Sequence, residues 1–211
     1  MTLNKKILTI ANGELPAPFV IEKMTGWADL IVAVDGGANH CALLGINPDF
    51  IVGDMDSIAP ENRSRFHNSE IIYLPDQNKH DFEKALEFLD TLHPDEVRVI
   101  SAWGKRFDHI LANLYITLLR QYSFKISLYD TEGVLSIIRN EIILNDAVGQ
   151  TISLFSFQPV FGLCISGCKY RNVQPDYPDG FIGLSNVISE NPAIIKIQKG
   201  FLLLYRLYAN N

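Results

Sequence analysis

The sequence predicts an α/β domain on a mainly parallel sheet, followed by an all-β sandwich domain. Three observations carry this. Short apolar runs alternate with helix-period stretches up to about Asp130, the helical period then disappears, and glycines or polar residues follow each apolar run of the first part. The α/β domain is placed at residues 1–130 and the sandwich at 131–211.

In chain order, residues 6–11, 29–34, 50–52, 70–74, 97–101 and 124–129 are apolar runs that read as buried strands. Between them, Phe82, Ala85, Leu86 and Leu89 fall on one face of a helix beginning near Asp81. Ile110, Leu111, Leu114 and Leu118 do the same for a helix beginning near Asp108. Such alternation implies parallel strands covered on both faces. After Asp130, residues 134–138, 151–155, 163–165, 194–197 and 201–205 are short strands separated by Gly, Pro and Asn-Asp turns. Lys199-Gly200 is expected to close a hairpin. This pattern suits a small antiparallel sandwich.

A chain of 211 residues with 47% apolar residues builds a substantial core. Its net charge of −6 argues against a nucleic-acid surface but not against a metal-bound nucleotide. The three cysteines, Cys41, Cys164 and Cys168, suit a reducing compartment, and no spacing resembles a zinc site. Met1 to Lys6 lead into an apolar run too short for a signal sequence, and no stretch approaches a membrane span. A cytoplasmic protein is expected.

Ligands of open parallel sheets bind beyond the carboxyl ends of the strands. Here those ends carry Asn12-Gly13, Asp35-Gly36-Gly37, Gly53-Asp54-Met55-Asp56, Asp76-Gln77 and Trp103-Gly104-Lys105-Arg106. In an extended segment Asp54 and Asp56 would point the same way, a grip for a hard cation such as Mg²⁺; a solvated turn is the alternative. Asp35-Gly36-Gly37 is either a tight turn or a phosphate approach, since glycines let backbone N–H groups near an anion. Asp81 and Asp108 read first as helix N-caps. Lys105 and Arg106 bring positive charge to the same edge, as a polyphosphate requires. His109 and Asn113 share a helical face without an assigned role. The combination suits phosphoryl or pyrophosphoryl transfer.

Six segments then resemble, in order, the motifs of thiamine pyrophosphokinases. They are Ala33-Val34-Asp35-Gly36-Gly37-Ala38-Asn39, Pro48-Asp49-Phe50-Ile51-Val52-Gly53-Asp54-Met55-Asp56-Ser57-Ile58, Asp76-Gln77-Asn78-Lys79-His80-Asp81-Phe82, Arg106-Phe107-Asp108-His109, Gly167-Cys168-Lys169-Tyr170 and Gly183-Leu184-Ser185-Asn186. The resemblance implies transfer from Mg·ATP to thiamine, and a homodimer with shared active sites. It places Asp54, Asp56 and Asp81 around Mg²⁺, with these and Arg106 as catalytic residues. Asp35, Gly36, Asn39, Lys105, Arg106, Asp108 and His109 would bind ATP. Gln77, Tyr170, Ser185 and Asn186 would bind thiamine. The chain departs from the family pattern at His80 (usually Thr), Lys105 (usually Gly), Arg171-Asn172 and Val187. Another metal-dependent nucleotide transferase or hydrolase, or a non-catalytic sensor, is the alternative reading.

Overall fold

In the computed structural model, which describes residues 5–209, the chain forms two compact units, Met1–Thr131 and Glu132–Asn211. The first four residues of the expected N-terminal stretch lie outside the described residues. No helix among those described is long and apolar enough to cross a membrane.

The first unit contains β1 (Lys6–Ile10), α1 (Pro18–Thr25), β2 (Leu30–Val34), α2 (Gly37–Leu44), β3 (Phe50–Gly53), α3 (Pro60–Arg63), β4 (Glu70–Tyr73), α4 (Asp81–Thr91), β5 (Glu96–Ile100), α5 (Phe107–Leu119) and β6 (Lys125–Tyr129). Its strands run in the order β6-β5-β1-β2-β3-β4, and every pair is parallel. Ile7, Leu8 and Ile10 of β1 are fully buried, as expected for a strand covered on both faces. The chain builds outward from β1 through β4, then returns to the other side of β1 with β5. That reversal makes a topological switch point at the carboxyl ends of β1 and β5, where a crevice opens.

The two periodic helices lie where the sequence predicts them, but α1, α2 and α3 carry weaker signals. Helix α2 reads Gly-Ala-Asn-His-Cys-Ala-Leu-Leu, small residues without a clear apolar stripe. Its compactness is the point: a Cβ on Gly37 would lie 2.1 Å from the Ile10 carbonyl oxygen, so the helix start sits directly against β1.

The expected capping roles of Asp81 and Asp108 are corrected. His80 is the N-cap of α4, its Nδ1 accepting from the Phe82 N–H at 3.3 Å, and Asp81 is the first helical residue. Arg106 precedes α5, with Asp108 one residue inside it. Both carboxylates therefore start a helix without capping it.

The second unit holds β7 (Gly133–Ile138), β8 (Glu141–Leu144), β9 (Thr151–Ser156), β10 (Cys164–Ser166), β11 (Phe181–Val187), β12 (Ala193–Lys196) and β13 (Leu202–Leu207). Antiparallel pairing gives the sheets β11-β9-β13-β7 and β10-β12-β8. Alternate residues of both meet in one core: Ile152, Leu154, Leu202 and Leu204 from the first, and Leu144, Ile165, Ala193 and Ile195 from the second. This is a sandwich. Lys199-Gly200 does not close a hairpin, because β12 pairs with β8 and β10 whereas β13 pairs with β7 and β9. The turn passes the chain from one sheet to the other, which lets both strands feed the same core. Strand β11 was missed because its Gly183-Leu184-Ser185-Asn186 stretch breaks alternation at a register shift.

Candidate active site

A cavity of roughly 310 Å³ opens at the switch point of the first unit. Asn12 and Gly13 border it after β1, Asp35 after β2, and Lys105 and Arg106 after β5. The start of α4 contributes His80 and Asp81, and α5 contributes His109 and Asn113.

Three carboxylates converge here. Asp35, Asp54 and Asp81 each offer an oxygen within 4.8 Å of the others. Asp35 follows β2 with φ 42°, a left-handed conformation unusual for a side chain with a Cβ. Its N–H is held by the Val52 carbonyl at 2.8 Å, which ties this turn to β3. Burial pushes the Asp35 carboxyl above its ordinary range, against hydrogen bonds from Ser57 and the Gly36 N–H, with Asp81 and Asp56 adding repulsion. Only 5% of Asp35 is exposed, and its Oδ1 has no protein partner. A buried carboxylate oxygen with no donor is costly unless a cation or other ligand reaches it.

Asp54 and Asp56 do not lie on an extended segment. Met55 between them has φ 65°, so the expected parallel orientation of the two carboxylates fails. Asp54 joins the three-carboxylate group, whereas Asp56 accepts from the Ser57 hydroxyl at 2.8 Å and donates its own N–H to Asp54 Oδ1 at 3.3 Å. Burial raises the Asp54 carboxyl, but the Asp56 N–H, the Gln77 amide at 2.9 Å and the Lys84 ammonium hold it below the ordinary range. Asp81 Oδ1 accepts from Lys84 Nζ at 2.9 Å. Lys84, only 3% exposed, was missed in the sequence, although its place three residues after Asp81 puts both on one helix face.

The cationic side is built on strained backbone. Lys105 has φ 60°, and its Nζ donates to the Asn12 carbonyl at 2.9 Å, bridging the two strand ends of the switch point. Arg106 pairs with Asp108 through Nε at 3.0 Å and Nη2 at 2.5 Å. The guanidinium holds the exposed Asp108 carboxyl down at about 2. The His80 and His109 rings meet edge-on at 5.2 Å. Burial, then the His109 charge, pushes the His80 imidazole below its usual range. Asn113 is buried and donates to the Ala102 carbonyl at 2.8 Å.

Two expected nucleotide residues act on the backbone instead of bordering the cavity. Asn39 donates to the Ser57 carbonyl at 2.8 Å and accepts from the Ala59 N–H and the Asn62 amide, both at 3.0 Å. It thereby braces the loop carrying Asp54 and Asp56. Gly36 is the N-cap of α2 with φ −58°, so it is required for space rather than for a left-handed turn: a Cβ there would sit 2.2 Å from the Asn12 amide.

Residues 21–129 match the family model described as "Thiamin pyrophosphokinase, catalytic domain". The chain belongs to the thiamin pyrophosphokinase family. The matched segment contains all three clustered carboxylates, Lys84, Lys105 and Arg106. Over 198 residues the chain is 25% identical to thiamine pyrophosphokinase of Bacillus subtilis, covering 89% of this chain and 92% of that protein. It is 30% identical over 135 residues to thiamine pyrophosphokinase 1 of Oryza sativa, covering 52% of this chain and only half of the rice protein. Among solved structures, the Bacillus subtilis thiamine pyrophosphokinase superposes with a TM-score of 0.84 at 25% identity, covering 98% of this chain and all of that one. Thiamin pyrophosphokinase from Candida albicans superposes at 0.82 with 19% identity, covering 98% and 90%, a likeness of fold.

The residues expected on the thiamine side of this thiamin pyrophosphokinase family member lie in different surroundings. Gln77 is in the first unit and donates to Asp54. In the second unit, Tyr170 and Asn186 are locked together: the Tyr170 N–H donates to Asn186 Oδ1 at 2.9 Å, and Asn186 Nδ2 donates to the Tyr170 carbonyl at 2.6 Å. That leaves the Tyr170 ring exposed, with Lys169 Nζ 5.3 Å from its centroid. Ser185, at φ 52°, stands at the β11 irregularity, its N–H held by Ser153 Oγ at 3.1 Å.

Proposed function

We propose that the chain is a thiamine diphosphokinase, transferring the pyrophosphoryl group of Mg·ATP to the thiamine hydroxyl and releasing AMP. Family membership supports the reaction, and one observation carries the chemistry: Asp35, Asp54 and Asp81 converge beside a cavity that Lys105 and Arg106 also line. The hydroxyl oxygen attacks the β-phosphorus of ATP while the bond from that phosphorus to the α,β-bridging oxygen breaks. AMP leaves with that oxygen, and a carboxylate of the acidic cluster would take the proton that the hydroxyl gives up.

The acidic set fits Mg²⁺, because its donors are hard carboxylate oxygens and the buried Asp35 Oδ1 lacks a protein partner. Asp35, Asp54 and Asp81 would hold the ion, with Asp56 adjacent to them. Bound there, Mg²⁺ would neutralise phosphate charge and polarise the transferred group. Arg106 would exchange its Asp108 partner for phosphate oxygens, a geometry in which a guanidinium makes paired hydrogen bonds. Lys105, fixed to the Asn12 carbonyl, would place a second positive charge over the same phosphates. Gly36, Asn39, Asp108 and His109 would shape the nucleotide side, and Gln77 would orient Asp54 near the reacting hydroxyl. The exposed Tyr170 ring would receive a cationic thiamine ring, with Asn186 of β11 fixing the loop that carries it and Ser185 beside it on the same strand. We further propose a cytoplasmic homodimer in which the acidic site of one copy meets the Tyr170 surface of the other.

AMP release from Mg·ATP, measured with and without thiamine, tests the assignment. Thiamine-dependent AMP formed in equal amount to thiamine diphosphate is expected. Equal AMP release without thiamine would replace the assignment with a nucleotide hydrolase. Binding of both ligands without turnover would replace it with a sensor.

A further inference from the structure

Lys84 is the element of the site that neither the sequence motifs nor the reaction accounts for. Its ammonium lies 2.9 Å from Asp81 Oδ1 and 3.7 Å from Asp54 Oδ2, and its side chain is 4% exposed. A lysine this buried is rare without a partner, and here it has two. Both partners belong to the three-carboxylate group, and the third member, Asp35, does not receive this ammonium in any hydrogen bond or ion pair among the described residues. The charge count is what matters. Three ionised carboxylates carry three negative charges, and the ammonium removes one, leaving a cluster that a single divalent ion neutralises.

We propose that Lys84 is a built-in counter-ion and positioning residue, which holds Asp54 and Asp81 together before any metal arrives and tunes the cluster to one divalent cation. This rests on the metal-site assignment above. Two physical features support it. Like charges packed this closely repel unless a cation relieves them, so without Lys84 the metal-free cluster would open. The lysine is also anchored in α4, which packs against β2 and β3, the strands that carry Asp35 and Asp54 into the site. Its position is set by the fold and not by the ligand. A fixed positive charge beside the metal position weakens cation binding while preserving the ligand geometry. The site then exchanges its ion with the nucleotide instead of retaining it between turnovers.

The test uses Mn²⁺ as probe, titrated into the full-length chain without nucleotide and read by electron paramagnetic resonance. Wild type, Lys84→Met and Lys84→Arg are compared, with melting temperatures measured in chelator and in excess Mn²⁺. Lys84→Met should bind Mn²⁺ at least tenfold more tightly than wild type or take up a second ion. Its melting temperature should fall in chelator and recover more on Mn²⁺ addition than that of wild type. Its kcat should fall more than tenfold while the KM for ATP stays within threefold. Lys84→Arg, which keeps the charge, should retain wild-type Mn²⁺ affinity. If Lys84→Met melts lower but gains no extra Mn²⁺ affinity or stabilisation, the lysine only packs α4 and the proposal is overturned. Should wild type itself bind no Mn²⁺ at this site, the metal assignment fails as well, a separate and recognisable result.

Discussion

The two units solve opposite problems with charge. In the first, buried Asp35 borders the cavity at a strand end, and buried Lys84, at a helix start, pairs with the carboxylates that cluster with it. In the second, the core shared by two sheets is apolar, and the candidate substrate residues Tyr170 and Ser185 are exposed. The difference teaches where each unit's stability resides. At Asp35 the acidic site works against its own fold, since it buries a carboxylate beside two half-buried ones, whereas the sandwich core contributes burial without any such cost. Substitutions in the first unit should therefore damage catalysis more than folding, and substitutions in the second unit's core should do the reverse.

The largest effect is expected at the acidic cluster. Asp54→Asn removes a charge that Asp35 and Asp81 converge on, and should lower kcat/KM at least a thousandfold, about 4 kcal/mol of transition-state stabilisation. Retention within tenfold, about 1.4 kcal/mol, would end the metal role of Asp54. Asp56→Asn sharpens the comparison further. Because Asp56 reaches the cluster through its N–H to Asp54 and its bond to Ser57, its loss should cost less than that of Asp54. An equal or larger loss would mean that Asp56 turns into the site when metal binds.

Leu204→Ala tests the other side. Leu204 is 2% exposed in the sandwich core, on a strand paired on both sides by β7 and β9. Truncation should cost about 2–5 kcal/mol in urea unfolding. The KM for ATP of the folded fraction should stay within about twofold, roughly 0.4 kcal/mol. A stability loss below about 1 kcal/mol would show that this core closes over the gap, contrary to its observed packing.

How much of this was legible beforehand differs between the units for the same reason. Parallel strands produce short apolar runs, so β1 to β6 and the polar groups after them could be located in the sequence. The run at residues 70–74 does not form the buried strand expected of it: β4 is the edge strand, with Ile71 54% and Tyr73 61% exposed, because among the described residues it has a neighbour on one side only. What periodicity does not report is backbone conformation within a turn. Left-handed Met55 separates Asp54 from Asp56, and left-handed Asp35 carries a residue expected on the ATP side into the cluster itself. Lys84 was illegible for a different reason: a lysine in an amphipathic helix ordinarily reads as solvated, and only packing against β3 buries it. In the sandwich, β11 hid behind a register shift, and sheet exchange at Lys199-Gly200 has the same turn residues as a hairpin.

A medium effect is expected at the exposed ring of the second unit. Tyr170→Ala should raise the KM for thiamine about tenfold, roughly 1.4 kcal/mol, and leave that for ATP within about twofold. Lys169, which already lies 5.3 Å from the ring centroid, makes the comparison informative. If this ammonium competes with the cationic substrate for the ring, Lys169→Ala should lower the thiamine KM, about two- to threefold, where most site substitutions raise it. Equal changes in both KM values for Tyr170→Ala would detach the ring from thiamine.

The smallest effect separates stability from function at a single atom pair. Burial raises the Asp35 carboxyl, so the folded state holds its proton to higher pH than the unfolded chain does. Below the unfolded-state value both states are protonated and no penalty exists. As pH rises through the raised folded value, the unfolded chain has already released its proton and the folded one must ionise a buried group, so this residue's contribution becomes destabilising. At neutral pH without metal, Asp35→Asn should therefore stabilise the chain by about 1 kcal/mol, or roughly 2–4 °C in melting temperature. The gain should vanish in acid, where wild-type Asp35 is neutral too. Divalent ion should reverse the order, stabilising wild type above the variant, because the charged carboxylate with its free Oδ1 ligates a divalent ion more strongly than the neutral amide oxygen of Asn. An Asn variant less stable than wild type in chelator at neutral pH would mean that Ser57 and Gly36 satisfy the charge fully, and that Asp35 belongs to the fold rather than to the metal.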